Sequence, residues 1–159
     1  KDFYDLLTAD KEKALAILSV DRGGKKPRKD IAKWSEVKDY YRYFFNSLYE
    51  PQFEAPENLA REDMIAFLES YKAVYDENDD RSAWFEKIKS LCPDLGFAAE
   101  TKDYKANPEA YKGSAGDLST VLRIAITSRR NTPDLCSIMA TLGRKECLKR
   151  IDDMIDFLR

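Results

Sequence analysis

The chain has 159 residues, 35% charged and 43% hydrophobic, and its 27 Lys+Arg nearly balance 29 Asp+Glu, leaving a formal net charge of −2. That length supports one folded domain with a real core, and the balance excludes an extended basic or acidic tail, so any nucleic-acid surface must be local. Histidine is absent, which rules out Ser-His-Asp and Cys-His nucleophiles, histidine metal cages and histidine proton shuttles.

In chain order, a short helix is expected from Lys11 to Ser19. A wide aromatic stripe follows: Val37, Tyr40, Tyr41, Phe44, Phe45 and Leu48 recur with helical spacing after Ser35, which is the expected cap. Met64, Phe67, Leu68, Tyr71, Val74 and Tyr75 form the next stripe, and Trp84, Phe85, Ile88, Leu91 and Cys92 another. The acidic break from Asp76 to Asp80 separates them. Leu118, Val121, Leu122 and Ala125 form a fourth; the β-branched run Val121–Thr127 has strand-like composition, but its flanks continue a helical pattern. Leu135, Ile138, Met139 and Leu142 make a fifth, for which Thr132-Pro133 is the expected cap and first position and Gly143 the expected end. Cys147, Leu148, Ile151, Ile155 and Leu158 make the sixth. The expected fold is an all-α helical bundle of about six or seven helices, as one unit over 1–159 or as two subdomains over about 1–98 and 99–159.

Cys92, Cys136 and Cys147 are odd in number, widely spaced and set in apolar stripes, which suits reduced core thiols in a cytoplasmic protein better than disulfides or zinc ligands. No apolar run approaches the ~20 residues needed to span a bilayer, so no membrane partner is expected. The start, Lys1-Asp2-Phe3-Tyr4, lacks an initiator Met and a signal-peptide core and reads as part of a longer chain. The paired carboxylates Asp79-Asp80 and Asp152-Asp153 read as solvated surface, since adjacent helical residues do not face each other.

Charge is strongly segregated. Residues 21–33 carry six basic and two acidic side chains in a loop containing Gly23, Gly24 and Pro27; residues 54–80 carry nine acidic and two basic; residues 123–150 carry seven basic and two acidic. Such a layout suits a molecule that turns one positive face to a polyanion, although a charge run is more often just a solvated face. The Arg22-Gly23-Gly24-Lys25-Lys26 segment lacks the spacing and the preceding strand of a phosphate-binding loop. Trp34 reads as the hydrophobic staple of the Ser35-capped helix in preference to a stacking platform for an unpaired base.

The stretch from Gly116 to Arg144, GDLSTVLRIAITSRRNTPDLCSIMATLGR, resembles the C-terminal end of bacterial-type class I glutamyl-tRNA synthetases. In these a Leu-Arg-x-Ala-x-Thr-Gly helix is followed by a proline-containing cap, a short apolar helix ending in Leu-Gly, and a final basic helix. Trp84–Lys89 with Leu95–Phe97, Lys102–Gly113 and Lys25–Trp34 fit the same pattern, so the resemblance extends over nearly the whole chain. Ser128 departs from it, standing where the family has glycine. The family's histidine-containing catalytic motif and its KMSKS-like loop have no counterpart here.

The resemblance implies a helical anticodon-binding region of a glutamate–tRNA ligase. The catalytic Rossmann domain, which uses ATP and Mg²⁺, would lie upstream; this part would need no cofactor and would make no bonds. The implied partners are that upstream domain and tRNA-Glu, with tRNA-Gln left open. Candidate tRNA contacts are Arg22, Lys25, Lys26, Arg28, Lys29 and Lys33 of the basic loop and Trp34 beside it. Arg129, Arg130 and Asn131 of the later turn join them, as does Arg123, which reads equally as an ion-pair partner. The loop and the turn are expected to contact one side of the anticodon stem-loop. Three rivals remain: a helix-turn-helix DNA reader over Leu135–Ile151 with Gly143 in the turn, a helical interaction module without nucleic acid, and the related helical region of a class I lysyl-tRNA synthetase.

Overall fold

The computed structural model describes residues 3–159. Two short helices, α1 (Phe3–Thr8) and α2 (Lys11–Ser19), open the fold. Asp10 caps α2, its carboxylate accepting from the Lys13 amide at 3.0 Å. α3 (Val37–Tyr41) is followed by a 3-10 turn over Arg42–Phe44, so the helix expected to run on to Leu48 breaks early. The reason lies in the side chains: Tyr43, Phe44 and Phe45 are all buried. Successive residues on an α-helix point about 100° apart, so three consecutive side chains cannot all enter one core from a regular helix. Tightening the turn and extending Phe45 brings all three inward.

The expected Ser35 cap is also displaced. A 3-10 turn over Trp34–Glu36 precedes α3, and the Glu36 carboxylate reaches back to the amides of Ala32 at 3.0 Å and Lys33 at 3.3 Å. A carboxylate at a helix start satisfies orphan amides and matches the positive end of the helix dipole.

The bundle proper consists of α4 (Arg61–Val74), α5 (Arg81–Leu95), α7 (Ala115–Thr127), α8 (Leu135–Leu142) and α9 (Arg144–Leu158), with a short α6 (Thr101–Ala106) on the way. α7 is buried nearly all round, which marks it as the central helix and explains why tertiary burial wins over the strand preference of its β-branched run. Ser114 and Asp117 form its capping box. α9 packs on α4, α7 and α8. Its Ile151, Met154, Ile155 and Leu158 are buried, each burial worth about 2 kcal/mol, far more than the exposed Lys149–Asp153 pair on its outer side. One hydrophobic core runs from Ile17 to Leu158. Extended pairing among the described residues is limited to one isolated parallel bridge, Ala98 with Ser114.

Helix boundaries carry the chain's charges. Asp80 caps α5 through the Ala83 amide at 2.8 Å, and the Glu77 carboxylate accepts from the Arg144 amide at 2.7 Å, at the start of α9. Asp79 pairs with Lys87. The acidic run 76–80 therefore ties helix ends together as well as facing solvent. Asp134, not Thr132, caps α8, accepting from the Ser137 amide at 2.9 Å, because the Thr132 hydroxyl is engaged by Arg123. Gly143 ends α8 as expected, at φ +82°, where a side chain would be strained.

Arg150 is 1% exposed. Its Nη1 donates to the Ile126 carbonyl at 2.7 Å, Nε to Glu146 at 2.7 Å and Nη2 to Asn46 Oδ1 at 3.1 Å, and the guanidinium lies 3.8 Å over the Tyr49 ring. Replacing it with an apolar side chain of similar length leaves the Ile126 carbonyl without its side-chain donor and Glu146 without its cation, with only the Asn46 amide donating to that carboxylate. Arg150→Met is expected to cost about 3 kcal/mol, read as a lower denaturant midpoint at unchanged slope, whereas Lys149→Met on the outer side should cost less than about 1 kcal/mol.

Burial pushes the thiols of Cys92, Cys136 and Cys147 up to about 11. All three are free and buried. In the native protein at neutral pH they are expected to resist a thiol reagent and to react together on unfolding; labelling of any one before unfolding would contradict this packing.

Candidate nucleic-acid interface

The site is built outward from the C-terminus of α7. Ser128 ends the helix in the left-handed region at φ +57°. Its hydroxyl shares a 2.9 Å hydrogen bond with the Tyr49 hydroxyl and accepts from the Gln52 amide at 3.0 Å. The turn that follows is held by arginines. Arg123 donates to the Thr132 hydroxyl and to the carbonyls of Thr132 at 3.3 Å and Pro133 at 2.9 Å; burial lowers its guanidinium from the ordinary value, though an arginine keeps its charge. Arg129 donates to the Asp39 carbonyl and lies 5.8 Å from the centre of the Tyr43 ring. Arg130 and Asn131 are exposed at the crest.

The basic loop is docked on this turn. Asp21, at φ +58°, accepts from the Asp134 amide at 2.6 Å, and its carbonyl accepts from the Arg28 amide at 3.2 Å. These bonds close the neck of the loop, from which Arg22, Lys25 and Lys26 project as exposed side chains. Arg28 forms a two-pronged pair with Asp30, at 2.6 and 2.9 Å, and reaches Asn131 Oδ1 at 3.4 Å. Tyr40 donates to the same Asp30 at 2.7 Å. Burial, with this hydrogen bond, pushes the Tyr40 phenol up to about 12.

Loop and turn, far apart in sequence, thus share one face, with Arg28 meeting Asn131 directly. Lys29 and Lys33 are exposed beside them. Among the described residues Lys25, Lys26, Lys29 and Arg130 make no ion pair or side-chain hydrogen bond, so their charge faces outward. Arg123 stands apart, since it is half-buried and its Nη1 donates within the turn. Of the remaining basic residues of 123–150, Arg150 is buried, Arg144 donates to the Tyr75 carbonyl and Lys149 pairs with Asp153, while Lys145 is exposed in the first turn of α9.

Trp34 is 88% exposed, which overturns its reading as a staple. The Glu36 carboxylate already organises this turn, and Val37 and Tyr41 fill the core beneath. The residues sequence reasoning missed are Asp21, Asp30 and Tyr40, which fix the loop; their signal was weak, since they are ordinary polar residues within or beside a charged run.

α9 lies in the core with Cys147, Arg150, Ile151, Met154, Ile155 and Leu158 buried. Its outer face carries Asp152, Asp153 and Asp156, charges that repel DNA phosphates, so the helix-turn-helix alternative is not favoured. Comparison with known proteins agrees: a family model for an anticodon binding domain matches residues 26–155. The chain belongs to the anticodon binding domain family. The matched span holds every candidate contact except Arg22 and Lys25. The domain is 39% identical over 155 residues to the glutamate–tRNA ligase of Acetivibrio thermocellus, covering 98% of this chain and 28% of that protein. It is also 39% identical over 155 residues to that of Clostridium perfringens, covering 95% and 28%, and 37% identical over 153 residues to that of Sorangium cellulosum, covering 95% and 27%. The domain therefore spans little more than a quarter of these relatives. No helix among the described residues is long and apolar enough to cross a membrane.

The Arg28 guanidinium beside Asp30 holds that carboxyl below its ordinary value. A depressed folded-state pKa means the ionised pair contributes fully above about pH 4 and loses that contribution as the pH falls through the depressed value. The stability difference between wild type and Asp30→Asn is expected to be constant near neutrality and to shrink below about pH 4, measured as paired denaturation midpoints across the acid range. A difference independent of pH would show that the pair does not act through charge.

Proposed function

We propose that this anticodon binding domain is the tRNA-selecting part of a glutamate–tRNA ligase, gripping the anticodon stem-loop of tRNA-Glu while aminoacylation with ATP is carried out by a catalytic domain elsewhere in the parent chain. The observation that carries this reading is the docking of the 21–33 loop on the 128–134 turn through Asp21–Asp134 and Arg28–Asn131. It joins two loops into one outward cationic face on a rigid helical base. The identity to glutamate–tRNA ligases supports the choice of tRNA.

Physically, the work divides in two. Lys25, Lys26, Lys29 and Arg130, exposed and unpaired, suit phosphate contacts that fix position without reading sequence. Asn131 and Arg28, held by neighbours at the junction, suit contacts to the edges of unpaired bases, where a fixed donor or acceptor discriminates. Arg123 serves the turn that presents them. The parent enzyme then acts in the cytoplasm, where tRNA is charged, and contacts from this domain select the tRNA at a distance from the chemistry.

The test is a salt titration of binding to tRNA-Glu, to the same tRNA with a substituted anticodon, and to duplex DNA. Anticodon substitution is expected to weaken binding; equal affinity for all three would reduce the face to a generic basic surface. Arg130→Ala should lower the slope of log affinity against log salt by about one, and Lys25→Ala with Lys26→Ala by about two. Arg123→Ala should lower stability and leave the slope nearly unchanged. Binding of tRNA-Gln within a few-fold of tRNA-Glu would identify a domain that reads both.

A further inference from the structure

The chain holds two tryptophans in opposite settings. Trp84 is 6% exposed within the core, whereas Trp34 is 88% exposed. A large aromatic ring held in water forgoes the burial that normally places it in a core or an interface. Its backbone is nonetheless well fixed, since the Glu36 carboxylate accepts from the Ala32 and Lys33 amides and the Val37 amide closes onto the Trp34 carbonyl. The ring lines a hollow of about 240 Å³ together with the apolar Leu18, Ile31, Val37 and Tyr41 and the cationic Arg22 and Lys33. An apolar seat with cations at its edge, continuous with a loop of net positive charge, matches a flat apolar ligand attached to phosphates.

We infer that Trp34 and this hollow are the seat of one unpaired base of the bound RNA, which stacks on the indole while Arg22 and Lys33 take the flanking phosphates. The inference rests on the reading of this domain as a binder of tRNA. Stacking accepts any base, because every base offers a π-face. The seat therefore adds affinity for single-stranded loop over duplex, and leaves discrimination among anticodons to Asn131 and Arg28. A paired base keeps both faces covered by its neighbours, so a continuous duplex has nothing to place there.

Intrinsic fluorescence isolates the event, because Trp84 is enclosed. The 159-residue chain would be titrated with an RNA stem-loop carrying the tRNA-Glu anticodon and with the same stem closed as a blunt duplex, in wild type, Trp34→Phe and Trp34→Ala. As an exposed position, residue 34 tolerates both substitutions without loss of the fold. The stem-loop is expected to quench emission in wild type and not in Trp34→Phe, and the duplex to quench neither. Trp34→Ala should bind the stem-loop roughly tenfold more weakly, with Trp34→Phe recovering to within about threefold. The salt slope should be the same for all three, since no charge is removed. Undiminished affinity in Trp34→Ala, with or without quenching, overturns the stacking seat, and if binding still depends on the anticodon the broader reading stands. Stem-loop binding no tighter than duplex DNA in wild type overturns both.

Discussion

The position of the candidate interface depends on one buried guanidinium. Arg150 ties together three pieces of chain at one point: the last turn of α7 through the Ile126 carbonyl, α9 through Glu146, and the 46–49 segment through Asn46 and the Tyr49 ring. A charge so deeply enclosed is tolerated only when nearly every donor is used. Its geometry therefore admits little variation, and the end of α7 inherits that rigidity. From there the order passes outward through Tyr49 to Ser128, along the turn pinned by Arg123, and across to the basic loop through Asn131 and Asp134. The face is presented by a lattice of hydrogen bonds whose root lies in the core.

Arginine and lysine divide this work according to their chemistry. Arg42, Arg123, Arg129, Arg144 and Arg150 all donate to main-chain carbonyls, a task suited to a planar, weakly hydrated group with several fixed donors. Lys25, Lys26 and Lys29, as strongly hydrated point charges, remain in solvent. The basic stretch 123–150 thus turns out to be largely structural, and the smaller basic loop supplies most of the outward charge. Counting charges along the chain registers both stretches alike, because sequence density carries no information on which cations are turned inward.

The same limit explains what was and was not legible in the residues. The stripes of α4, α5, α7, α8 and α9 were plain, since each helix buries a face against the bundle and must repeat its apolar residues at helical spacing. The 35–48 segment departs from the helix its aromatic spacing suggests because three neighbours in sequence all go inward. Trp34 departs from expectation for a related reason: a tryptophan before a helix usually packs, and only the arrangement of Glu36, Val37 and Tyr41 shows that its place in the core is already filled. The meeting of loop and turn, through Arg28 and Asn131, spans a separation in sequence that no local pattern encodes.

Ser128 shows how a departure from a family pattern is absorbed. Glycine is favoured at a left-handed helix end because it has no Cβ, and another residue there costs roughly 1–2 kcal/mol. The serine hydroxyl bonds with both the Tyr49 hydroxyl and the Gln52 amide, each bond worth about 1 kcal/mol, so the two contacts offset the backbone cost. A glycine would relax the helix end and leave both partners without this hydroxyl. Serine instead fastens the 49–52 segment to the helix end that Arg150 already holds, so that the residue least like the pattern tightens the very turn on which Arg130 and Asn131 are carried.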